Sequence, residues 1–168
     1  YQLTHAAGHQ AWYAGVNALF GQFKKFAADY SVMPQVIFTD PQLARVGLNE
    51  LEAAAQGIDV EVTVYDLADL DRAIVDGDAK GMVKVLTAPG TDRILGAAVL
   101  GPQAGELITQ FVTAIKHNLG LNKILGLIHS YPTLSEANKY VAGEWKRKHV
   151  PQRLLRWAEK YYRWKLGS

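Results

Sequence analysis

The sequence predicts an α+β domain in which an antiparallel sheet carries its helices packed on one face. Three observations lead there. Strand patterns dominate the first half and helix patterns the second, without the strict β–α alternation that builds a parallel sheet. Two of the strand runs flank Ala88-Pro89-Gly90-Thr91-Asp92, a turn segment that suits a hairpin and so antiparallel pairing. Finally, a chain of 168 residues buries roughly 70% of its unfolded surface, enough for one independent core.

Residues 5–27 open the chain as a helix, with Ala11, Val16, Leu19, Phe20 and Phe23 at helical spacing and Thr4 as N-cap. The segment Asp29–Pro34 ends it. Gln35–Thr39 reads as a buried strand, Asp40-Pro41 as a turn and Leu43–Leu48 as a second strand. Asn49 caps a short helix, Glu50–Gln56, which Gly57 closes. The β-branched alternation of Val60–Tyr65 predicts a strand. The acidic stretch Asp66–Asp71 is loop-like, with a turn or short helix at Arg72–Val75 and a turn at Asp76-Gly77-Asp78. Met82–Thr87 and Arg93–Leu100 are the hairpin strands. A helix from Ala104 to about Asn118, ended by Gly120, carries the stripe Ile108, Phe111, Val112 and Ile115. Leu121–Leu127 and Thr133–Lys148 are further helices, and Pro151 opens the last. There is no internal repeat and no low-complexity segment.

Composition narrows the function. Apolar residues make up 49% and charged residues 20%, the balance of an ordinary globular domain. No apolar run reaches the roughly 20 residues of a membrane span, and no signal peptide is visible. The absence of cysteine excludes disulfides, thiolate metal sites and a nucleophilic thiol within this segment, and fits a reducing, cytoplasmic location. The net charge of +2 is unevenly spread: the stretch from Trp145 onward holds eight Lys or Arg against one Glu, hence +7, leaving −5 for the rest. A basic tail therefore follows a mildly acidic body. The chain begins at Tyr1, and the expectation is a part of a longer protein.

Three ordered motifs carry chemistry. The first is Phe38-Thr39-Asp40-Pro41 followed by Ala44, Val46-Gly47 and Glu50. The second is Gly81 and Lys84, then Leu95-Gly96, Gly101, Ala104 and Glu106. The third is Tyr131-Pro132-Thr133-Leu134-Ser135-Glu136, where Thr133 and Glu136 have the spacing of a capping box. Together they resemble the dimerisation domain of the pyridine nucleotide-disulfide oxidoreductases, the flavoenzyme family of glutathione reductase, dihydrolipoamide dehydrogenase and mercuric reductase. The match covers about residues 30–145. The resemblance implies three parts: residues 1–28 as the trailing helix of an FAD-binding domain, 29–149 as the dimerisation domain and 150–168 as a basic amphipathic helix.

It further implies a homodimer in which the loop Tyr131–Glu136 reaches the partner subunit's active site, and FAD and NAD(P)H as cofactors of the full-length oxidoreductase. The missing FAD and NAD(P)H domains would belong to the same chain. The stretch Leu3-Thr4-His5-Ala6-Ala7 resembles the family's helix start that faces the flavin, so Leu3, Thr4 and His5 are the expected cofactor contacts. Gly90, Gly96 and Gly101 do not form a dinucleotide phosphate loop, so this segment alone is expected to be inactive.

The site candidates are Tyr131, Glu136 and His129. In dithiol-processing members of the family the position of Tyr131 is a histidine, which exchanges protons with the thiols. An imidazole suits that work near neutral pH; a phenol, with a reference pKa of about 10, does not. A carboxylate at Glu136 would raise it further. Tyr131 is therefore expected to donate a hydrogen bond or a proton, or to orient a substrate atom. His129 matches the first histidine of the dihydrolipoamide dehydrogenase pattern and is read either as a substitute base or as a packing residue. Mercuric reductases place a tyrosine in this region but end in a cysteine pair, which is absent here. His5, His9, His117 and His149 lack metal-ligand spacing, and no metal site is expected.

The tail presents Leu154, Trp157, Tyr161 and Trp164 as one stripe and Arg153, Arg156, Lys160 and Arg163 as another. It reads first as a helix docking on its own protein or the dimer mate, and second as a helix on a membrane surface; nucleic acid is not expected as a partner. The competing functional class is a stand-alone self-associating interaction module associated with a membrane surface.

Overall fold

A computed structural model describes residues 2–167, with the side chains of residues 152–154 outside that description. Tyr1, and the side chains of Arg153 and Leu154 in the two tail stripes, therefore lie outside the description. The chain forms two compact units, Tyr1–Ser31 and Val32–Ser168.

The first unit holds helix α1, Thr4–Phe20. It is shorter than the predicted 5–27. The Asn17 side chain receives the Phe26 N–H at 2.8 Å and donates to the Phe26 carbonyl at 2.7 Å. That clasp folds residues 21–26 back on the last turn, so the apolar Phe23 does not extend the helix. Leu3 is the N-cap, with no side-chain capping bond, and Thr4 is already helical.

The second unit is built on five strands: β1 Gln35–Ile37, β2 Gln42–Gly47, β3 Glu61–Asp66, β4 Met82–Thr87 and β5 Ile94–Gly101. They lie in the order β1-β2-β5-β4-β3, and every pairing is antiparallel. Register sets the two faces, because side chains alternate along each strand. Val36, Ala44, Val99, Val83 and Tyr65 stand opposite one another across the whole sheet, and Val46, Ala97, Val85 and Thr63 form the next row. Both rows face the core. Gly47 closes β2 at φ 71°, where a Cβ would collide with the Leu95 carbonyl oxygen; this is the close approach its motif predicts.

Two helices, Ala104–Lys116 and Glu136–Lys148, cover that core face. Helix α2, Glu50–Ala55, follows β2 with a complete capping box between Asn49 and Glu52. Asp66 caps a 3-10 turn, Leu67–Asp69, and helix α3, Asp71–Val75, follows. Helix α4, Ala104–Lys116, packs on β5 and β2 through Leu107, Ile108 and Phe111. Helix α5, Leu121–Leu125, packs on helix α6, Glu136–Lys148, which in turn lies on β3 and β4. Helix α7, Gln152–Leu166, is last.

Two further helix ends differ from prediction. Asn118, not Gly120, terminates α4: it sits at φ 53°, with its N–H on the Ile115 carbonyl and that of Leu119 on the Ala114 carbonyl, a Schellman end with asparagine in the left-handed position. Gly120 has another use. Asp92 presses against it and accepts from the Asn122 N–H at 3.2 Å, holding the start of α5. The second difference, at α6, concerns the site.

Candidate active-site loop

Residues 126–135 connect α5 to α6 and carry the candidate side chains. The sequence predicts α6 from about Thr133, but the helix begins at Glu136, after Ser135. The reason is how Thr133 spends its hydroxyl. It donates to the Ser130 carbonyl at 2.7 Å and lies 2.9 Å from the Ser135 hydroxyl. Only the reverse half of the capping box forms: the Thr133 N–H donates to a Glu136 carboxylate oxygen at 3.2 Å.

Glu136 is 5% exposed. A carboxylate so buried must have its hydrogen bonds supplied. One oxygen receives the Thr133 N–H, and the other receives the Tyr140 hydroxyl at 3.3 Å, one helical turn on. Tyr140 stacks obliquely on Tyr65, with ring centroids 5.3 Å apart. Burial, then the Glu136 charge, hold the Tyr140 phenol above its ordinary pKa. Tyr65, pushed up to about 12 chiefly by burial, donates to the Asp69 carbonyl at 2.9 Å.

Tyr131 stands at the other extreme, 69% exposed. Its hydroxyl donates to Asp71 on α3 at 2.9 Å. That bond and the Asp71 charge raise its pKa, with Glu136 a smaller influence. The phenol therefore stays protonated near neutral pH and is a hydrogen-bond donor. Asp71 and Tyr140 are the residues that sequence reasoning missed. Tyr140 has a signal, since it lies four residues after Glu136 on one helix face. Asp71 has none, being 60 residues away in sequence.

His129 does not meet Glu136. Its Nε2 is 3.1 Å from the Gln110 side-chain nitrogen on α4, and its Nδ1 is 3.3 Å from the Leu127 carbonyl oxygen. Gln110 in turn accepts from the buried Asn138 amide at 2.9 Å, and Asn138 also donates to the Leu107 carbonyl at 3.0 Å. A cavity of about 310 Å³ opens between α4 and the loop, lined by residues including Glu106, Gln110, Thr133 and Asn138. Beside it the loop exposes Leu127 and, fully, Ile128. Leu3, Thr4 and His5 lie at the start of α1, whose first turn contains no acidic residue. Among the described residues, no group of three His, Asp or Glu is placed to hold a metal, and no helix is long and apolar enough to cross a membrane.

Comparison with known proteins agrees with this architecture. The family model described as pyridine nucleotide-disulphide oxidoreductase, dimerisation domain, matches residues 33–142. The chain belongs to this family. Dihydrolipoyl dehydrogenase of Chlamydia muridarum is 40% identical over 136 residues, 81% of this chain but 29% of that protein. The mitochondrial dihydrolipoyl dehydrogenase of Homo sapiens is 40% identical over 109 residues, 65% of this chain and 21% of that one. Among solved structures, the HOCl-induced flavoprotein disulfide reductase RclA from Escherichia coli superposes with a TM-score of 0.70 at 28% identity, covering 77% of this chain and 30% of that one. A Cu(II) complex of a mutant of the same reductase superposes with a TM-score of 0.76 at 27% identity, covering 84% of this chain and 32% of that one. The chain thus spans less than a third of the length of the oxidoreductases it matches, and it corresponds to their dimerisation domain.

Proposed function

We propose that this chain is the dimerising part of an FAD-dependent pyridine nucleotide-disulfide oxidoreductase, and that its loop Tyr131–Glu136 enters the active site of the partner subunit in a homodimer. The observation that carries this reading is the opposition within the loop: Glu136 is buried and fully bonded, while Tyr131 and Ile128 project outward and stay exposed. An exposed tyrosine on a braced loop is a group held for something outside the chain.

In this reading Glu136 is a positioning residue. It ties the Thr133 backbone to Tyr140 and fixes the loop's entry into α6. Tyr131 donates a hydrogen bond to an atom of the bound acceptor, exchanging Asp71 for it or bridging the two. Its raised pKa makes it a donor and a poor base. His129 orients the loop through Gln110. FAD, when bound by the full-length protein, supplies the electron-transfer chemistry, and NAD(P)H belongs to domains beyond this segment. Backbone N–H groups at Leu3, Thr4 and His5 would face the flavin: the α1 N-terminus has no capping side chain and no acid in its first turn, so its partial positive charge is available to an electron-rich ring edge.

The test uses the full-length protein, assayed against disulfides, metal ions and quinones. Tyr131→Phe should lower kcat about tenfold, the value of one lost neutral hydrogen bond, with KM little changed. Unchanged turnover on every acceptor would remove Tyr131 from the chemistry. His129→Gln should keep most activity; a loss on the order of a hundredfold or more would make His129 the acting acid–base group. The 168-residue chain should self-associate, and light scattering that shows only monomer at micromolar concentration would count against a self-sufficient interface.

A further inference from the structure

Helix α7 has no role in the loop chemistry, yet it is the most two-sided element of the chain. At about 100° per residue, an apolar arc of about 200° runs from Trp164 through Trp157, Tyr161 and Tyr162 to Leu155 and Leu166. Only Lys165, near the end of the helix, interrupts it. Arg156, Lys160 and Arg163 occupy the opposite arc. Its acid, Glu159, is neutralised by Arg163 at 2.6 Å. The apolar arc is uncovered: Trp157 is 64% and Trp164 78% exposed. The rings organise among themselves, with Trp157 stacked on Tyr161 at 5.8 Å and Tyr161 against Trp164 at 6.1 Å.

We infer that α7 is a peripheral membrane anchor that lies flat on an anionic lipid bilayer. Three features select this occupant over a protein groove. The arc is wider than the narrow seam by which one helix docks on another. Its contents are chiefly Trp and Tyr, whose half-polar rings favour the headgroup boundary, and the two tryptophans sit where the apolar arc meets the basic one. The polar face is cationic after the Glu159–Arg163 pair is discounted, which complements anionic headgroups and not a neutral surface. The helix spans about 22 Å and is too polar to cross a bilayer, so it rests in the interface. Lys165, within the apolar arc, reaches the headgroups along its own stem. This inference does not depend on the proposed oxidoreductase chemistry.

Flotation of the 168-residue chain with vesicles tests it. On equimolar phosphatidylcholine and phosphatidylglycerol the chain should float, and on phosphatidylcholine alone far less. Lys160→Gln should reduce partitioning about fivefold, the effect of one cation near an anionic surface, and raised salt should weaken binding in parallel. Trp157→Ser with Trp164→Ser should abolish it. A chain ending at Val150 should stay at the bottom of the gradient while keeping its thermal transition. Failure of the whole chain to float on the anionic vesicles would overturn the anchor. So would equal flotation of the shortened chain. If removing α7 instead converts a dimer to a monomer in sedimentation, the face belongs to a second copy and the anchor is wrong.

Discussion

Helices α6 and α7 are near neighbours in sequence, of similar length, and both are amphipathic. The first buries Val141, Ala142 and Trp145 in the core of the sheet, whereas the second leaves Trp157, Tyr161 and Trp164 outside. The difference lies in which side chains line the face. On α6 the apolar stripe includes small and branched residues that pack against β3 and β4, and its polar side holds the buried Glu136 with both carboxylate oxygens bonded and the buried Asn138 with its amide N–H groups donated. On α7 the stripe is bulky and aromatic, and its rings stay exposed. Amphipathicity says that a face must be covered, and the side chains say by what.

The contrast breaks first in the core. Phe111 on α4 is fully buried in the same core cluster as Val141, Ala142 and Trp145 of α6. Phe111→Ala should cost about 3–5 kcal/mol through lost transfer energy and a residual cavity. Removing all of residues 151–168 should change stability by less than about 0.5 kcal/mol, as expected for an element outside the core. Chemical denaturation of both variants is the measurement, and comparable losses would mean that α7 packs on the body after all.

A smaller effect is expected at Asn138, which ties α6 to α4. It is 1% exposed, donates two hydrogen bonds and leaves its Oδ1 without a protein partner. Asn138→Ala should cost about 1–3 kcal/mol, through the loss of two buried hydrogen bonds and of the partner that the Gln110 side-chain oxygen accepts from. Because Gln110 also meets His129, the variant should shift the His129 ring resonances in NMR spectra. Unmoved resonances would show that the chain of amides does not position the loop.

The outer face of the sheet provides the third test. Arg45 and Lys84 flank Ala98 on that face and pair with Glu52 and Glu50 in the first turn of α2. The Lys84 bond holds the Glu50 carboxyl below its ordinary 4.5, and Arg45 does the same for Glu52. Depressed carboxylates stabilise the fold fully above pH 4.5 and lose that contribution as pH falls through their lower folded values. With solvent screening each half-exposed pair contributes less than about 1 kcal/mol. Thermal melts between neutral pH and about pH 3 should therefore drop less steeply in Glu50→Gln with Glu52→Gln than in the parent chain.

How far the sequence reached follows the same division between local and distant causes. Alternation in β3 and the turn between β4 and β5 located the sheet, and the Asn49 cap and the stripe of α4 located two helices, because each signal is complete within a few residues. Helix ends were missed where a side chain had a competing bond: Asn17 clasped Phe26 and shortened α1, and Thr133 turned to Ser130 and delayed α6. At the site, the exposed loop and its family motif were legible. The bond from Tyr131 to Asp71 was not, since it joins segments that only the folded sheet brings together. Tyr140 was within reach, because a tyrosine one turn after a buried glutamate is an obvious donor to it.

The smallest effect on stability is expected where the effect on location should be largest. Trp157→Ser with Trp164→Ser removes two large rings, a change that would cost about 3–5 kcal/mol apiece in a core. Here both rings already face solvent in the described chain, so their hydrophobic surface is exposed before and after unfolding and contributes little to the difference. The double variant should melt within about 0.5 kcal/mol of the parent in vesicle-free buffer. It should also become more soluble, since it loses an exposed apolar patch. A large loss of stability would place the rings against protein in solution, and α7 would then be a packing helix like α6.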